Sequence, residues 1–182
     1  MYGLGHIKDT RLHYLLEKKK IMFIEPPGQD YMNILIIHQN RFKGIRVGAP
    51  YKSCVHPNML PPIMDLIIWG NEHECCTELV QDPVHNFWIY QPGSSVATSL
   101  NQGEALAKHV GYFEVYEKKK FKFLPIPLKV QRPIYVKSIE LEDLIGKRKN
   151  GKKLALEGTT EDIEKIIEMK LEDEVNKLLE EN

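Results

Sequence analysis

Paired cysteines, long apolar runs and net charge are what this sequence has little of. The chain of 182 residues contains three cysteines, Cys54, Cys75 and Cys76. Their number is odd, two are adjacent and no C-x-x-C occurs, so neither a disulfide framework nor a zinc finger is indicated. That usage suits a reducing compartment. No apolar run approaches the ~20 residues of a membrane-spanning helix, and the N-terminus lacks the apolar core of a signal peptide. A soluble, intracellular protein is the expectation. The 25 basic and 25 acidic side chains cancel, so bulk charge argues for no polyanionic partner. There is no internal repeat and no long low-complexity segment.

Hydrophobic residues make up 42% of the chain and charged ones 27%, enough for an ordinary globular core. Residues 1–130 carry 15 basic and 12 acidic side chains, and residues 131–182 carry 10 and 13. The shift is compatible with a second module beginning near 131. "RLHYLLEKKK" (11–20) places Leu12, Leu15 and Leu16 at helical spacing, with lysines at the end that suits cations. "IMFI" (21–24), "NILII" (33–37), "DLIIW" (65–69) and "FWIY" (87–90) read as short strands. Their unbroken apolar character predicts burial on both faces of a layered sheet. "YFEVY" (112–116) and "FKFLPIPL" (121–128) predict a hairpin with a lysine-rich tip at Lys118–Lys120, Phe113 and Val115 facing a core and Glu114 facing water. "LIGKRKNGKK" (144–153) reads as a basic loop. The tail predicts a helix, with Thr159 as N-cap and an apolar stripe of Ile163, Ile166, Ile167, Leu171, Val175, Leu178 and Leu179. An uncovered stripe of that length is a site for partner contact or self-association.

Chemistry-bearing residues collect at two strand ends. His38 follows one apolar run directly, and Asn71 and His73 follow another, in "DLIIWGNEHECC". In open α/β sheets, ligands gather at the carboxyl ends of strands. Imidazole suits transition metals, and an amide carbonyl suits harder ions such as Mn²⁺. The plain alternative at each end is a hydrogen-bonded structural residue. Arg41, Lys43 and Arg46 lie just past His38 and are the candidates for phosphate contact, against a simply exposed charged loop. Cys75 and Cys76 are read as small residues after a turn. "QPGSS" (91–95) could offer backbone N–H groups to a phosphate but begins no P-loop. His6, His13, His56, His85 and His109 have no partners at ligand spacing and are read as structural or exposed.

Five stretches, "YGLG" (2–5), "IIHQNR" (36–41), "DLIIWGNEHEC" (65–75), "QPGSSVATSL" (91–100) and "GEALAKHVG" (103–111), occur in the order found in one family. In them the sequence resembles the meiotic recombination eleven double-strand-break repair nucleases, within the calcineurin-like metallophosphoesterase superfamily; "IPLKVQRP" (126–133) resembles the segment leading out of their catalytic domain. The resemblance implies an α/β fold: part of a four-layer metallophosphoesterase sheet sandwich over 1–130, then the start of a small DNA-capping module over 131–182. It implies a Mn²⁺-dependent DNA exo- and endonuclease with His38 and His73 as metal ligands. Asn71 stands where the G-H-E-H motif has its first histidine, offering a carbonyl oxygen in place of an imidazole. The D-x-H strand end, the bridging aspartate and the G-N-H-D motif have no counterpart here, so the isolated chain is expected to be inactive as a nuclease. An inactive segment that binds DNA or the repair complex is the alternative. Implied partners are DNA, an ABC-type ATPase of the structural-maintenance class and, in eukaryotes, nibrin. The implied location is the nucleus. The family's homodimer uses helices outside these motifs, which leaves this chain without those contacts.

Overall fold

The computed structural model describes residues 1–5, 7–28, 31–44, 51–139 and 160–180. The chain divides into two compact units, Met1–Ile134 and Tyr135–Asn182. The expected basic loop at 144–153, the N-cap Thr159, and His6 and Arg46 lie outside the described residues.

The first unit is built on a five-stranded sheet of β1 (Tyr2–Gly3), β2 (Ile34–His38), β3 (Leu66–Gly70), β4 (Val80–Gln81) and β5 (Trp88–Tyr90), ordered β1-β2-β3-β5-β4. β1, β2, β3 and β5 run parallel, and β4 is an antiparallel edge. Helix α1 (Asp9–Glu17) makes the crossover from β1 to β2. The fold class is α/β, as the sequence indicates.

Register explains which face holds the core. Leu35 pairs with Ile67 and Ile67 with Ile89, while Ile37 pairs with Trp69. Because side chains alternate along a strand, these residues share one face. There they pack with Leu12 and Leu16 of α1 and with Val55, Leu60, Met64 and Phe87. Each fully buried large side chain contributes about 1.5–3 kcal/mol of transfer free energy. Asp65 sets the strand starts: its Oδ2 accepts from the Asn33 amide at 2.7 Å, while Asn33 Nδ2 donates to the Ile63 carbonyl at 2.9 Å.

The opposite face is covered only in part. A hairpin of β6 (His109–Val115) and β7 (Phe121–Pro127) brings Phe113, Phe121 and Phe123 against Tyr90 and Trp88 of β5. The Tyr90 ring lies so close to Gly111 that a Cβ there would stand 2.6 Å from it. Burial pushes the Tyr90 hydroxyl up to about 12. Lys119 at the hairpin tip has φ +62° and reaches Asp65 Oδ1 at 3.2 Å. Beyond the hairpin the cover ends, and Ile36 of β2 is 45% exposed. The expectation that the apolar runs are buried on both faces therefore fails for β2, because among the described residues only one layer packs on it.

Two further expectations are corrected. "IMFI" is not a strand: Met22 is 85% and Ile24 79% exposed, while Ile21 and Phe23 pack on the core. The place beside β2 is taken by β1, and the Tyr2 hydroxyl donates to the Ile24 carbonyl at 3.0 Å, so 21–24 lies over the core without a ladder. Val115 does not face a core but is half-exposed, because the aromatic cluster ends at Phe113 and Phe121.

In the second unit, helix α2 (Thr160–Glu180) carries the predicted stripe, with Leu171, Val175 and Leu179 exposed. Glu174 accepts from Lys137 and, at 2.8 Å, from Lys177, which together hold its carboxyl down at about 2.

Candidate metal and phosphate site

The site grows from the carboxyl ends of β2 and β3. His38, last in β2, pairs with Gly70, last in β3. A Cβ at position 70 would stand 2.8 Å from His38 Nδ1, so glycine there lets the imidazole lie across the neighbouring strand end. The chain after β2 is held down by Trp69, whose indole donates to the Gln39 carbonyl at 2.8 Å. A short parallel bridge then joins Arg41 to Val55.

Asn71 turns the chain out of β3 with φ +72°, a left-handed conformation that asparagine tolerates better than most residues. Its orientation follows from a relay of amides. Asp9 at the start of α1 accepts from Asn40 Nδ2 at 2.7 Å and from the Asn40 backbone N–H at 3.1 Å. A carboxylate only accepts, so the Asn40 carbonyl oxygen points the other way, and Asn71 Nδ2 donates to it at 2.9 Å. With Nδ2 committed to Asn40, the side-chain oxygen is the atom of the Asn71 amide left for another partner.

His73 is placed from the other side of the site. Its Nδ1 lies 2.7 Å from Glu104 Oε1 and 2.8 Å from the Thr98 hydroxyl. Glu104 is fully buried and also receives Lys108 Nζ, the Ser94 hydroxyl at 2.7 Å, and the Thr98 hydroxyl and amide at 2.7 and 3.1 Å. Burial alone would raise its pKa. The hydrogen bonds from Lys108, Thr98, Ser94 and His73 outweigh burial and hold the carboxyl well below the usual range. "QPGSS" locks the loop in place: Cys76 N donates to the Gln91 carbonyl at 3.0 Å, and Gln91 Nε2 to the Glu74 carbonyl at 3.1 Å. The 91–95 turn thus bonds the chain itself, with Ser94 N on the His73 carbonyl at 3.4 Å.

The basic residues are engaged within the fold. Arg41 stacks over Trp69 at 5.8 Å and donates to Gln91 Oε1 at 3.2 Å, while its amide donates to Glu72 at 2.8 Å. Lys43 bridges Glu72 at 2.8 Å and Glu74 at 3.2 Å. Burial pulls the Lys43 ammonium down, but the hydrogen bonds and charges of these two carboxylates hold its pKa above the ordinary value. Cys75 is buried, and burial followed by the Glu74 charge raises the Cys76 thiol.

His13, His56, His85 and His109 serve the fold. His13 Nδ1 bonds the Cys54 carbonyl at 2.9 Å, His56 stacks on Phe42, His85 pairs with Asp82, and His109 bonds the Ala107 carbonyl. Sequence reasoning assigned no role to Glu104, Lys108, Thr98 or Ser94. The spacing of Glu104 and Lys108 by four residues was the one local signal, because the histidine they serve lies on another strand end.

The donor set has a definite chemistry. His38 and His73 offer imidazole nitrogens and Asn71 a carbonyl oxygen, and His73 Nε2 has no partner among the described residues. By type these are donors for a borderline or hard divalent cation. Among the described residues, no three His, Cys, Asp or Glu side chains form a group that could hold a metal ion.

Against known proteins, the chain is 42% identical over 146 residues to the double-strand break repair protein MRE11 of Coprinopsis cinerea, covering 79% of this chain. It is 43% identical over 143 residues to the double-strand break repair protein mus-23 of Neurospora crassa, and 38% over 143 residues to human MRE11, each match covering 78% of this chain. Over that stretch the chain is a homologue of MRE11. The matched region is about a fifth of the relatives' own length, 19% for the Coprinopsis cinerea MRE11 and 18% for mus-23. No family model matches the chain. The mixed sheet and its few helices agree with part of a metallophosphoesterase-type α/β fold.

Proposed function

We propose that the chain supplies one wall of the metal-dependent nuclease site of an MRE11-type double-strand break repair protein. Residues 1–130 would be the later half of its catalytic domain and 131–182 the start of its DNA-capping module. The observation that carries this reading is the placement of His38, Asn71 and His73 at the carboxyl ends of two adjacent parallel strands. A pair of Mn²⁺ ions would clamp the attacking and leaving oxygens of a phosphodiester. His38 and His73 would hold the ions through imidazole nitrogen, and Asn71 through its carbonyl oxygen. Lys43, tethered by two carboxylates yet part-exposed, would face a phosphate. Arg41, fixed between Trp69 and Gln91, would position the loop, and Arg46 belongs to the same proposed phosphate set. The proposed setting is nuclear, in a repair complex with DNA, an ABC-type ATPase and, in eukaryotes, nibrin.

Two imidazoles and an amide carry no negative charge to offset a pair of divalent ions, the loop carboxylates Glu72 and Glu74 are held by Lys43, and Glu104 is engaged behind His73 with Lys108. The chain by itself would bind Mn²⁺ weakly and cleave no DNA. Titration of the chain followed by the paramagnetic signal of free Mn²⁺ is the test. His38→Ala and His73→Ala should each weaken binding, and unchanged binding in both would remove them as ligands. Mn²⁺-dependent cleavage by the wild-type chain, abolished in His73→Ala, would overturn the incompleteness of the site. Asn71 favours a second reading, an inactive segment that binds DNA or the repair complex. Asn71→His, in a chain joined to the preceding segment of a relative, separates the two: a gain of cleavage identifies position 71 as limiting, and no gain favours the binding role.

A further inference from the structure

We propose that Glu104 is the positioning residue for His73, fixing which ring nitrogen faces the site; this rests on the reading of His73 as a ligand. Oε1 of Glu104 takes His73 Nδ1 at 2.7 Å together with the Thr98 hydroxyl and amide, and Oε2 takes Lys108 and Ser94. Five donors on a carboxylate without solvent exposure leave it only an acceptor's role. Nδ1 must therefore carry the proton, which leaves the lone pair on Nε2 of a half-exposed ring. The proton on one ring nitrogen is set by the hydrogen bond that nitrogen makes, and a carboxylate behind a metal-binding histidine raises its basicity as well as orienting it. Lys108 is not a spare counter-ion in this arrangement. It occupies Oε2, so that Oε1 is the oxygen left for the imidazole. Ser94 and Thr98 hold the carboxylate plane from the loop that crosses behind His73.

The arrangement makes a sharp demand of Glu104→Gln. Lys108 is charged as well as donor-only, so it will hold the amide oxygen in preference to the neutral Thr98 N–H, which turns the amide NH₂ toward His73. Nδ1 then becomes an acceptor, and the ring proton moves to Nε2, the atom needed for a metal. Nitrogen-15 spectra of selectively labelled histidine in the whole chain read this directly. Wild type should show His73 protonated at Nδ1, Glu104→Gln should show it protonated at Nε2, and Mn²⁺ affinity should fall about 10–100-fold. Ser94→Ala removes a hydroxyl that touches Glu104 but not the His73 ring, keeps the backbone bond to the His73 carbonyl, and should leave the tautomer in place. A wild-type His73 protonated at Nε2 overturns the proposal whether or not the variant folds. So does an unchanged tautomer in folded Glu104→Gln. A tautomer switch without Mn²⁺ binding in any variant sustains the role of Glu104 and removes instead the reading of His73 as a ligand.

Discussion

Gly93 shows how little room one residue leaves in this structure. Its φ is +69°, and a Cβ there would stand 2.7 Å from Cys75 N and 2.8 Å from the His73 carbonyl oxygen. Both obstacles are backbone, so neither can swing aside. Gly93→Ala should cost at least about 2 kcal/mol, from the left-handed conformation plus the displaced loop, measured by urea denaturation. Glu104 makes a second prediction, through pH. Its carboxyl is held below the ordinary value of 4.5, so the stability it contributes is present above that value. It is lost as pH falls through the lower folded value, because the unfolded chain takes up the proton first. Glu104→Gln should lower stability at neutral pH and flatten the fall in stability below pH ~4.5. An acid-denaturation profile parallel to that of wild type would show that Glu104 titrates normally.

At the scale of elements, the hairpin depends on few contacts. Phe113 touches Tyr90, Phe121 and Phe123, with centroids 5.4, 5.9 and 4.8 Å away. Phe113→Ala should cost about 3 kcal/mol, the low end for such a truncation because the ring is only part-buried, and near-ultraviolet circular dichroism should report the lost aromatic order. The strands β2, β3 and β5 were legible in the sequence because each is a local apolar run closed by a turn. Residues 21–24 have the same apolar signal without a strand, since pairing depends on whether a neighbouring ladder is vacant, and β1 had filled it. The candidate ligands were legible for the same local reason, as polar residues at strand ends. The Glu104 network was not, because its partners come from the loops around 73, 94 and 98, and no short window contains them. The engagement of Arg41 with Trp69 and Gln91 was equally hidden, since a sequence reports a charge and not what neutralises it.

For the molecule as a whole, zero formal charge meets an apolar surface. Val110 faces Ile126 and Tyr112 faces Leu124 across the hairpin, all half-exposed, and Ile36 is open on the sheet. With a pI near 7.1, net-charge repulsion between molecules is at its smallest at neutral pH. Dynamic light scattering at pH 7 should find self-association that Ile126→Lys reduces, with little change in thermal stability. The relay from Asp9 through Asn40 to Asn71 has its own consequence, for reading genetic variation. Asp9 begins a helix and bears no mark of a functional residue, yet its loss frees Asn40 to rotate and, with it, the carbonyl of Asn71. A harmless-looking helix-start variant, such as Asp9→Ala, would then be misfiled as a folding defect when the injury lies in where one distant amide points.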